Sequence, residues 1–229
     1  MKKILLSLLL AFAGSTFAVA QYTDKSTFVR VNAIYIDEVI ENFNGDESGE
    51  GATVEFAFIF SDDDYFYASL GLEVGYIESD ADEKFFEEGT VVLNPPDPAV
   101  PYTDDFALSQ EMELIPVFLN YTVGGDIEGT GLIWEFGFGI GFTYIDYKES
   151  ASRLLVINGV EDTNEAYSDS DDDIVFSGQV FGRLGYEFTE SIALLGGVRY
   201  IKTDDADFFG TDYGDLDSVA FDLGLKILF

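Results

Sequence analysis

Eight stretches of alternating apolar residues, separated by connections that are short and long in turn, predict an all-β fold. The expected architecture is an eight-stranded antiparallel up-and-down transmembrane β-barrel, preceded by an N-terminal signal peptide. Each predicted strand alternates with period two and is rich in Phe, Tyr, Val and Ile, as strands usually are. The strands are predicted at residues 26–37, 51–60, 65–78, 110–123, 132–147, 172–188, 192–202 and 216–229.

The N-terminus has the three parts of a secretory signal peptide. Two lysines precede an apolar segment at residues 4–13, and the small residues Ala18 and Ala20 mark a cleavage site. This arrangement predicts residues 1–20 as a signal peptide, export, and cleavage after Ala20. Residues 21–229 are then assigned to a single barrel domain.

The residues of the segment "LIWEFGFGIGFTYID" distinguish a membrane barrel from a soluble sandwich better than alternation alone does. Large apolar residues from Leu132 to Tyr144 share one face, whereas Gly137, Gly139 and Gly141 lie on the other. A face of glycines does not form a soluble core of ordinary packing density. The predicted strands are also long enough to cross a bilayer, which takes about 9–11 residues, and exceed the usual soluble length of about 5–6.

The connections support the same interpretation. They alternate strictly between short and long, which is typical of periplasmic turns and extracellular loops. The long loops contain more than half of the 44 acidic residues, and their basic residues are Lys84, Lys148 and Arg153. Aromatic residues near the strand ends fit interfacial girdles. The short connections are 61–64, 124–131 and 189–191, the long ones are 38–50, 79–109, 148–171 and 203–215, and the aromatic residues are Tyr76, Tyr121, Trp134, Tyr144, Tyr186 and Tyr200.

Composition excludes several classes of function. A formal net charge of −33 argues against nucleic acid as a partner. The absence of Cys and His from the sequence removes disulfides, thiolate or imidazole metal sites and His-based catalysis. We therefore expect no enzyme activity, catalytic residue, metal ligand or cofactor. Acidic runs suit divalent cations, which the loops could attract, but no run has the spacing of an EF-hand loop.

The interior of an eight-stranded barrel is just wide enough for side chains to fill. Several charged residues of both signs fall on inward positions of the predicted strands. Because a lone buried charge costs several kcal/mol, we predict ion pairs among them. The alternative for these residues is a conducting lumen. The predicted network comprises Arg30, Glu55, Glu73, Glu135, Arg183, Glu187, Arg199, Asp222 and Lys226.

The C-terminal segment "VAFDLGLKILF" has apolar residues at alternating positions and a terminal aromatic residue. Together with "LIPVFLNYTVG" at 114–124, it resembles the small outer-membrane β-barrel family that includes the OmpA transmembrane domain and OmpX. The resemblance implies an outer-membrane location in a Gram-negative-type cell, with membrane lipid as a partner. It also implies recognition of the last strand by the outer-membrane insertion machinery. The insertion signal would comprise Phe221, Leu223, Leu225, Ile227 and Phe229.

The function predicted from these features is that of an integral, non-enzymatic outer-membrane protein. Its role would be structural, or one of surface interaction through the long acidic extracellular loops, and we expect a monomer. Two alternatives stay open at this point. One is a narrow passive pore or small-ligand carrier, and the other is a secreted soluble β-sandwich with cation-binding acidic loops.

Overall fold

The structure is a computed structural model that describes residues 26–37, 48–62, 66–91, 99–127, 130–212, 214–215 and 217–229. The predicted signal peptide, residues 1–20, lies outside the described residues. Among the described residues, no helix is long and apolar enough to cross a membrane.

The fold consists of antiparallel strands, eight of which form one closed ring. A further two-stranded hairpin, β8 (Asp207–Phe208) and β9 (Thr211–Asp212), lies between the last two ring strands in sequence. The ring strands are β1 (Thr27–Asp37), β2 (Ser48–Asp62), β3 (Tyr67–Val91), β4 (Val100–Ile127), β5 (Leu132–Ile157), β6 (Val160–Thr189), β7 (Ile192–Thr203) and β10 (Asp217–Leu228). Their order around the ring is β1-β10-β7-β6-β5-β4-β3-β2, so β10 closes the barrel against β1.

All eight predicted strands are present, and the fold class is confirmed. Much of the predicted loops 79–109 and 148–171 is instead strand, because β3 to β6 continue well beyond the other four strands. The second of these hairpins turns at Asn158 and Gly159, which have φ angles of 52° and 75°. Two consecutive residues with positive φ form the tight turn that best matches the twist of paired strands, and Asn-Gly is its preferred sequence.

The outside of the ring is apolar. Large side chains that include Phe136, Phe138, Ile140 and Phe142 on β5 are each more than half exposed. Such a continuous exposed apolar surface requires lipid, because the surface of a soluble monomer rarely carries apolar patches above a few hundred Å². The closed ring with this exterior excludes the soluble β-sandwich alternative.

A row of four carboxylates marks where the apolar belt ends on the long-strand side. Glu78, Glu113, Asp146 and Asp172 are direct cross-strand neighbours on the outward face of β3 to β6. Lys148 lies within 3.6 Å of Glu113 and 3.7 Å of Asp146 and offsets part of their repulsion. Charges at the bilayer midplane are costly, whereas those near the interface are tolerated. This row therefore marks the edge of the membrane-spanning part at the long-strand end.

The interior is filled in three layers. At the short-turn end, Phe28, Ala57 and Ile59 form a small apolar cluster. A layer of charged and amide side chains lies at mid-height. Above it, at the outer end with the long hairpins, buried apolar side chains fill the ring. These are Ile34, Ile36, Ile77, Met112, Leu114, Phe118, Ile145, Tyr147, Val175, Ile201, Ala206, Phe208 and Ala220. Apolar residues thus take the inward positions above and below the charges.

Candidate functional site: the lumen and the projecting sheet

The mid-height layer contains four cationic and four anionic side chains, so its formal charges balance. They come from seven of the eight ring strands, each from a position that points into the barrel. None is more than 5% exposed. The cations are Arg30, Arg183, Arg199 and Lys226, and the anions are Glu55, Glu73, Glu135 and Asp222.

Two groups of ion pairs make up this layer. In the first, Arg30 contacts Glu55 at 2.8 Å and Glu135 at 2.5 Å, and Lys226 contacts Glu135 at 3.0 Å. The Tyr67 hydroxyl also donates a hydrogen bond to Glu135. Three donors therefore converge on the Glu135 carboxylate, which is the centre of this group.

The second group is centred on Arg199. Its guanidinium contacts Glu73 at 2.6 Å and Asp222 at 2.8 Å, and Arg183 contacts Asp222 at 3.1 Å. Arg183 also lies 3.8 Å from Glu135, which connects the two groups into one network. The sequence places these residues on inward positions, and the structure shows which of them are partners.

Two amide side chains that the sequence analysis did not select complete the network. Asn120 donates hydrogen bonds to Glu73 at 2.7 Å and to Glu55 at 3.2 Å. Gln179 donates to Asn120 at 2.8 Å and accepts from Arg199 at 3.0 Å. The available signal was their position, because both are polar residues at inward sites of strands whose outward neighbours are apolar.

The glycine face of β5 has a specific role in this packing. A Cβ atom at Gly139 would lie 2.1 Å from the Asn120 side-chain oxygen and 3.1 Å from the Gln179 side chain. Only a glycine lets the two amides from the adjacent strands meet across β5. The glycine face is thus covered by long polar side chains from its neighbours, which is why it is compatible with a filled barrel.

The structure corrects one member of the predicted network. Glu187 is half-buried near the short-turn end of β6, opposite Ala193 of β7. Within the described part of the chain, none of the ion pairs includes it. The apolar cluster of Phe28, Ala57 and Ile59 lies at the same end, so Glu187 is below the level of the charged layer.

The outer apolar layer is closed from above by residues 204–212, named here the strap. Its Phe208 ring is fully buried, and its centroid lies 5.2 Å from that of Tyr147. The backbone N–H groups of Asp207 and Phe209 donate to the carboxylates of Asp173 and Asp171, at 3.0 Å and 2.7 Å. The strap thus lies along the edge of β6 where β7 no longer continues.

Little space is left inside the barrel. A cavity of about 20 Å³ within the outer apolar layer is bounded by side chains that include Ile36, Ile77, Leu114 and Ile201. The hydroxyl side chains of Thr143, Thr203 and Ser218 also line it, and its volume is about that of one water molecule. Below it, the side chains of the charged layer fill the lumen from seven strands and are at most 5% exposed. The described residues therefore leave no continuous aqueous path through the lumen.

Beyond the barrel, β3 to β6 form a four-stranded sheet, named here the projecting sheet: residues 80–91, 100–111, 148–157 and 160–170. At about 3.4 Å per residue, its twelve β3 residues extend up to about 40 Å along the strand. Its basic residues are Lys84, Lys148 and Arg153, against a large excess of acidic ones.

Polar pairs on one face of the projecting sheet hold its strands in register. Arg153 on β5 contacts Asp104 on β4 with a shortest distance of 2.5 Å, and Tyr102 donates to Glu87 at 2.7 Å. The hydrogen bonds and charge of the Arg153 guanidinium lower the pKa of Asp104 below its ordinary value. The hydrogen bond to Glu87 raises the pKa of the Tyr102 hydroxyl.

Among the described residues, no group of three or more acidic side chains is arranged to hold a metal ion, and the attraction of divalent cations stays a prediction.

The C-terminal residues predicted as an insertion signal all lie on one side of β10. Phe221, Leu223 and Leu225 are exposed on the outer surface, and Ile227 and Phe229 are half-exposed at the short-turn end. The Phe229 backbone N–H donates to the Thr27 carbonyl at 2.9 Å, next to the first strand. This places the predicted signal on the lipid-facing side of the closing strand, and its recognition by insertion machinery stays a prediction.

A closed ring of eight antiparallel strands with an apolar exterior and a filled lumen defines a transmembrane β-barrel. No protein-family model matches the chain, and no curated protein matches it.

Three solved structures are similar to the chain over most of its length. Neisserial surface protein A (NspA) is 13% identical, with a TM-score of 0.37 over 89% of this chain and 97% of that one. Ail, the attachment invasion locus protein of Yersinia pestis, is 8% identical, with a TM-score of 0.39 over 89% and 99%. OprG from Pseudomonas aeruginosa is 11% identical, with a TM-score of 0.39 over 89% and 96%. At these values the functions of the three proteins do not transfer to this chain.

Proposed function

We propose that this protein is a non-enzymatic outer-membrane barrel that displays an acidic sheet at the cell surface for interaction with cationic partners. The observation that carries the proposal is the projecting sheet, which extends four strands beyond the membrane boundary and concentrates negative charge there. A barrel alone needs only strands long enough to cross the bilayer, about 9–11 residues. Strands of 25 to 30 residues exceed that requirement and support a role for their outer halves.

The surface of the projecting sheet also suits a partner that combines charge with apolar groups. Phe85 and Phe86 are consecutive on β3, so they point to opposite faces, and both are more than half exposed. Acidic side chains at Asp82, Glu87 and Glu88 surround them. Aromatic residues anchor many protein interfaces, and opposite charges accelerate encounter and set specificity.

The test uses the mature chain refolded in nanodiscs, which leave both ends of the barrel accessible. Poly-L-lysine is the cationic probe and poly-L-glutamate is its control, and binding is measured by biolayer interferometry at several salt concentrations. A folded sample is identified by an SDS gel shift that appears only on heating. We expect salt-dependent binding of poly-L-lysine and none of poly-L-glutamate.

Two matched double variants locate the binding surface. Asp82→Asn/Glu88→Gln removes two charges from the projecting sheet, and Asp126→Asn/Glu190→Gln removes two from the short-turn end. We expect the first pair to weaken poly-L-lysine binding several-fold and the second to leave it unchanged. Equal effects from both pairs would mean that only the total charge matters, and the proposed role of the sheet would be abandoned.

The alternative of a passive pore is disfavoured by the packing of the lumen. The charged layer and the apolar layers together fill the barrel interior at three levels. We therefore expect no single-channel conductance above background in planar bilayers. Reproducible conductance steps from folded protein would instead favour the pore.

A further inference from the structure

We propose that the outer apolar layer is a binding chamber for one small apolar molecule, which takes the place of the Phe208 ring when the strap lifts. The ligand class is a single aromatic ring or a short alkyl chain. The chamber lies in the lumen, and its occupation does not depend on the interaction proposed for the projecting sheet.

The walls of the chamber are built by the barrel itself. Ile36 on β1, Ile77 on β3, Leu114 on β4, Ile145 on β5 and Ile201 on β7 all point into it and are buried. They come from five strands around the ring, so the walls persist whether or not the strap is in place.

The filling of the chamber comes from the strap. Phe208 belongs to a short hairpin in the connection between β7 and β10, yet its side chain is among the most deeply buried of the protein. Its ring lies against Tyr147 in the same cluster as the wall residues. A chamber that accepts the ring of Phe208 has the size and chemistry to accept a free molecule of the same kind.

Space next to the wall residues increases the volume that a ligand can use. The cavity of about 20 Å³ is bounded by Ile36, Ile77, Leu114 and Ile201, which also belong to the cluster that contains Phe208. Removing the ring would leave a space of about the size of the ring among these apolar side chains. Apolar cavities of about 150 Å³ in protein cores stay dry and bind benzene.

Besides the hydrogen bonds to Asp171 and Asp173 of β6, the strap has a much shorter backbone ladder than the ring strands. Its hairpin has two residue pairs, whereas β7 and β10 are joined by a ladder of eleven. Phe209 has a φ angle of 53°, in the left-handed region that non-glycine residues rarely adopt. This strain is relieved when the hairpin opens, so it favours release of Phe208 from the chamber.

The chamber opens in one direction only. Below it, Arg199 and Glu73 join opposite walls of the lumen, and both side chains are buried. A molecule that enters past the strap therefore leaves by the same route. The chamber is a binding site at the outer end of the barrel and not part of a transmembrane path.

The experiment titrates toluene into the refolded chain in nanodiscs with 13C-labelled isoleucine methyl groups. Toluene also dissolves in lipid, so the signals of lipid-facing Ile140 and Ile174 serve as an internal reference. The chamber is reported by Ile36, Ile77 and Ile201. Phe208→Ala empties the chamber, and Phe188→Ala makes the same change at an exposed position at the short-turn end of β6. The heat-dependent gel shift verifies that each variant is folded.

We expect the methyl signals of the three chamber isoleucines to shift with saturation, while those of Ile140 and Ile174 change linearly with toluene. Phe208→Ala should lower the half-saturating concentration at least tenfold, and Phe188→Ala should leave it unchanged. Linear, non-saturating shifts at the chamber isoleucines in both proteins overturn the proposal. Saturation in Phe208→Ala but not in the natural sequence overturns it as well, because the site would then exist only in the variant.

Discussion

Arg199 and Glu73 form an ion pair of 2.6 Å across the full width of the barrel. They belong to β7 and β3, which are four strands apart in a ring of eight and therefore lie on opposite walls. Arg30 on β1 and Glu135 on β5 are opposite in the same way and are 2.5 Å apart. The two ion pairs connect opposite walls along two different diameters of the ring. They therefore stabilise its cross-section without any covalent link.

Removal of the Glu135 carboxylate should strongly destabilise the barrel. Glu135→Gln leaves Arg30 and Lys226 buried with one negative charge too few. Breaking a buried ion pair by losing one partner costs about 3–5 kcal/mol. We expect a decrease of this size in the free energy of unfolding, measured by urea titration of the protein folded in lipid vesicles.

Glu187→Gln is the matched control for that measurement. It makes the same chemical change at an inward position of the barrel, but Glu187 lies outside the network. We expect a change within about 0.5 kcal/mol, as for surface substitutions away from specific contacts. A similar loss of stability in both variants would show that any inward carboxylate stabilises the barrel, whether or not it forms an ion pair.

The Arg199–Glu73 pair should show coupling in a double-mutant cycle. Arg199→Met and Glu73→Leu each leave the other charge buried with fewer partners, so each alone is destabilising. Together they remove both charges. We expect the double variant to lose less stability than the sum of the two single variants, by about 0.5–3 kcal/mol. Simple additivity in urea unfolding would contradict the direct interaction.

The tip of the projecting sheet should loosen at low pH. Hydrogen bonds from Arg153 lower the pKa of Asp104, so the ionised carboxylate supports the native pairing of β4 with β5. This support is complete above the ordinary Asp pKa of about 3.9 and is lost as the pH falls through the lowered value. Carboxyl 13C NMR should show the pKa of Asp104 rising in Arg153→Gln.

Lys84→Gln is the control for that titration. It removes another positive charge from the projecting sheet, but Lys84 lies on the face opposite to Arg153 and Asp104. We expect the pKa of Asp104 to stay low in this variant. The same rise in both variants would mean that net charge, and not the contact with Arg153, lowers the pKa of Asp104.

The turn at Asn158 and Gly159 should tolerate little change in backbone conformation. Gly159→Ala adds a methyl group into open space, so any loss of stability comes from the φ angle of 75°. A left-handed alanine costs roughly 1–2 kcal/mol. We expect faster amide exchange near the tips of β5 and β6. Gly178→Ala is the control, because its added Cβ would meet nothing closer than 3.8 Å at a φ outside the left-handed region.

Alternation in the sequence predicted the ring strands because the type of each residue indicates whether it faces lipid or the lumen. On β5, for example, Phe136 and Phe138 face lipid and Glu135 faces the lumen, as predicted. The outer parts of β3 to β6 escaped prediction because water contacts both faces there. With no buried face, acidic and apolar residues such as Glu87 and Phe86 follow no strict period, and the segment is similar in composition to a loop.

The candidate site was predicted in part. The inward charges were selected correctly except for Glu187, because a charged residue on a strand with an apolar outer face has only the lumen to occupy. The partners of Asn120 and Gln179 were not predictable, since their contacts depend on which strands stand opposite one another. The same holds for Phe208, whose burial depends on the strap folding over the ring.

The sequence by itself determined that the chain forms a barrel of eight strands and which face of each strand contacts lipid. Those properties depend on local alternation between apolar and polar residues, which any single strand contains. The tertiary structure alone decided the pairing of Arg199 with Glu73, the insertion of Phe208 and the height of the projecting sheet. These depend on ring order and register, which bring together residues more than a hundred positions apart in the chain.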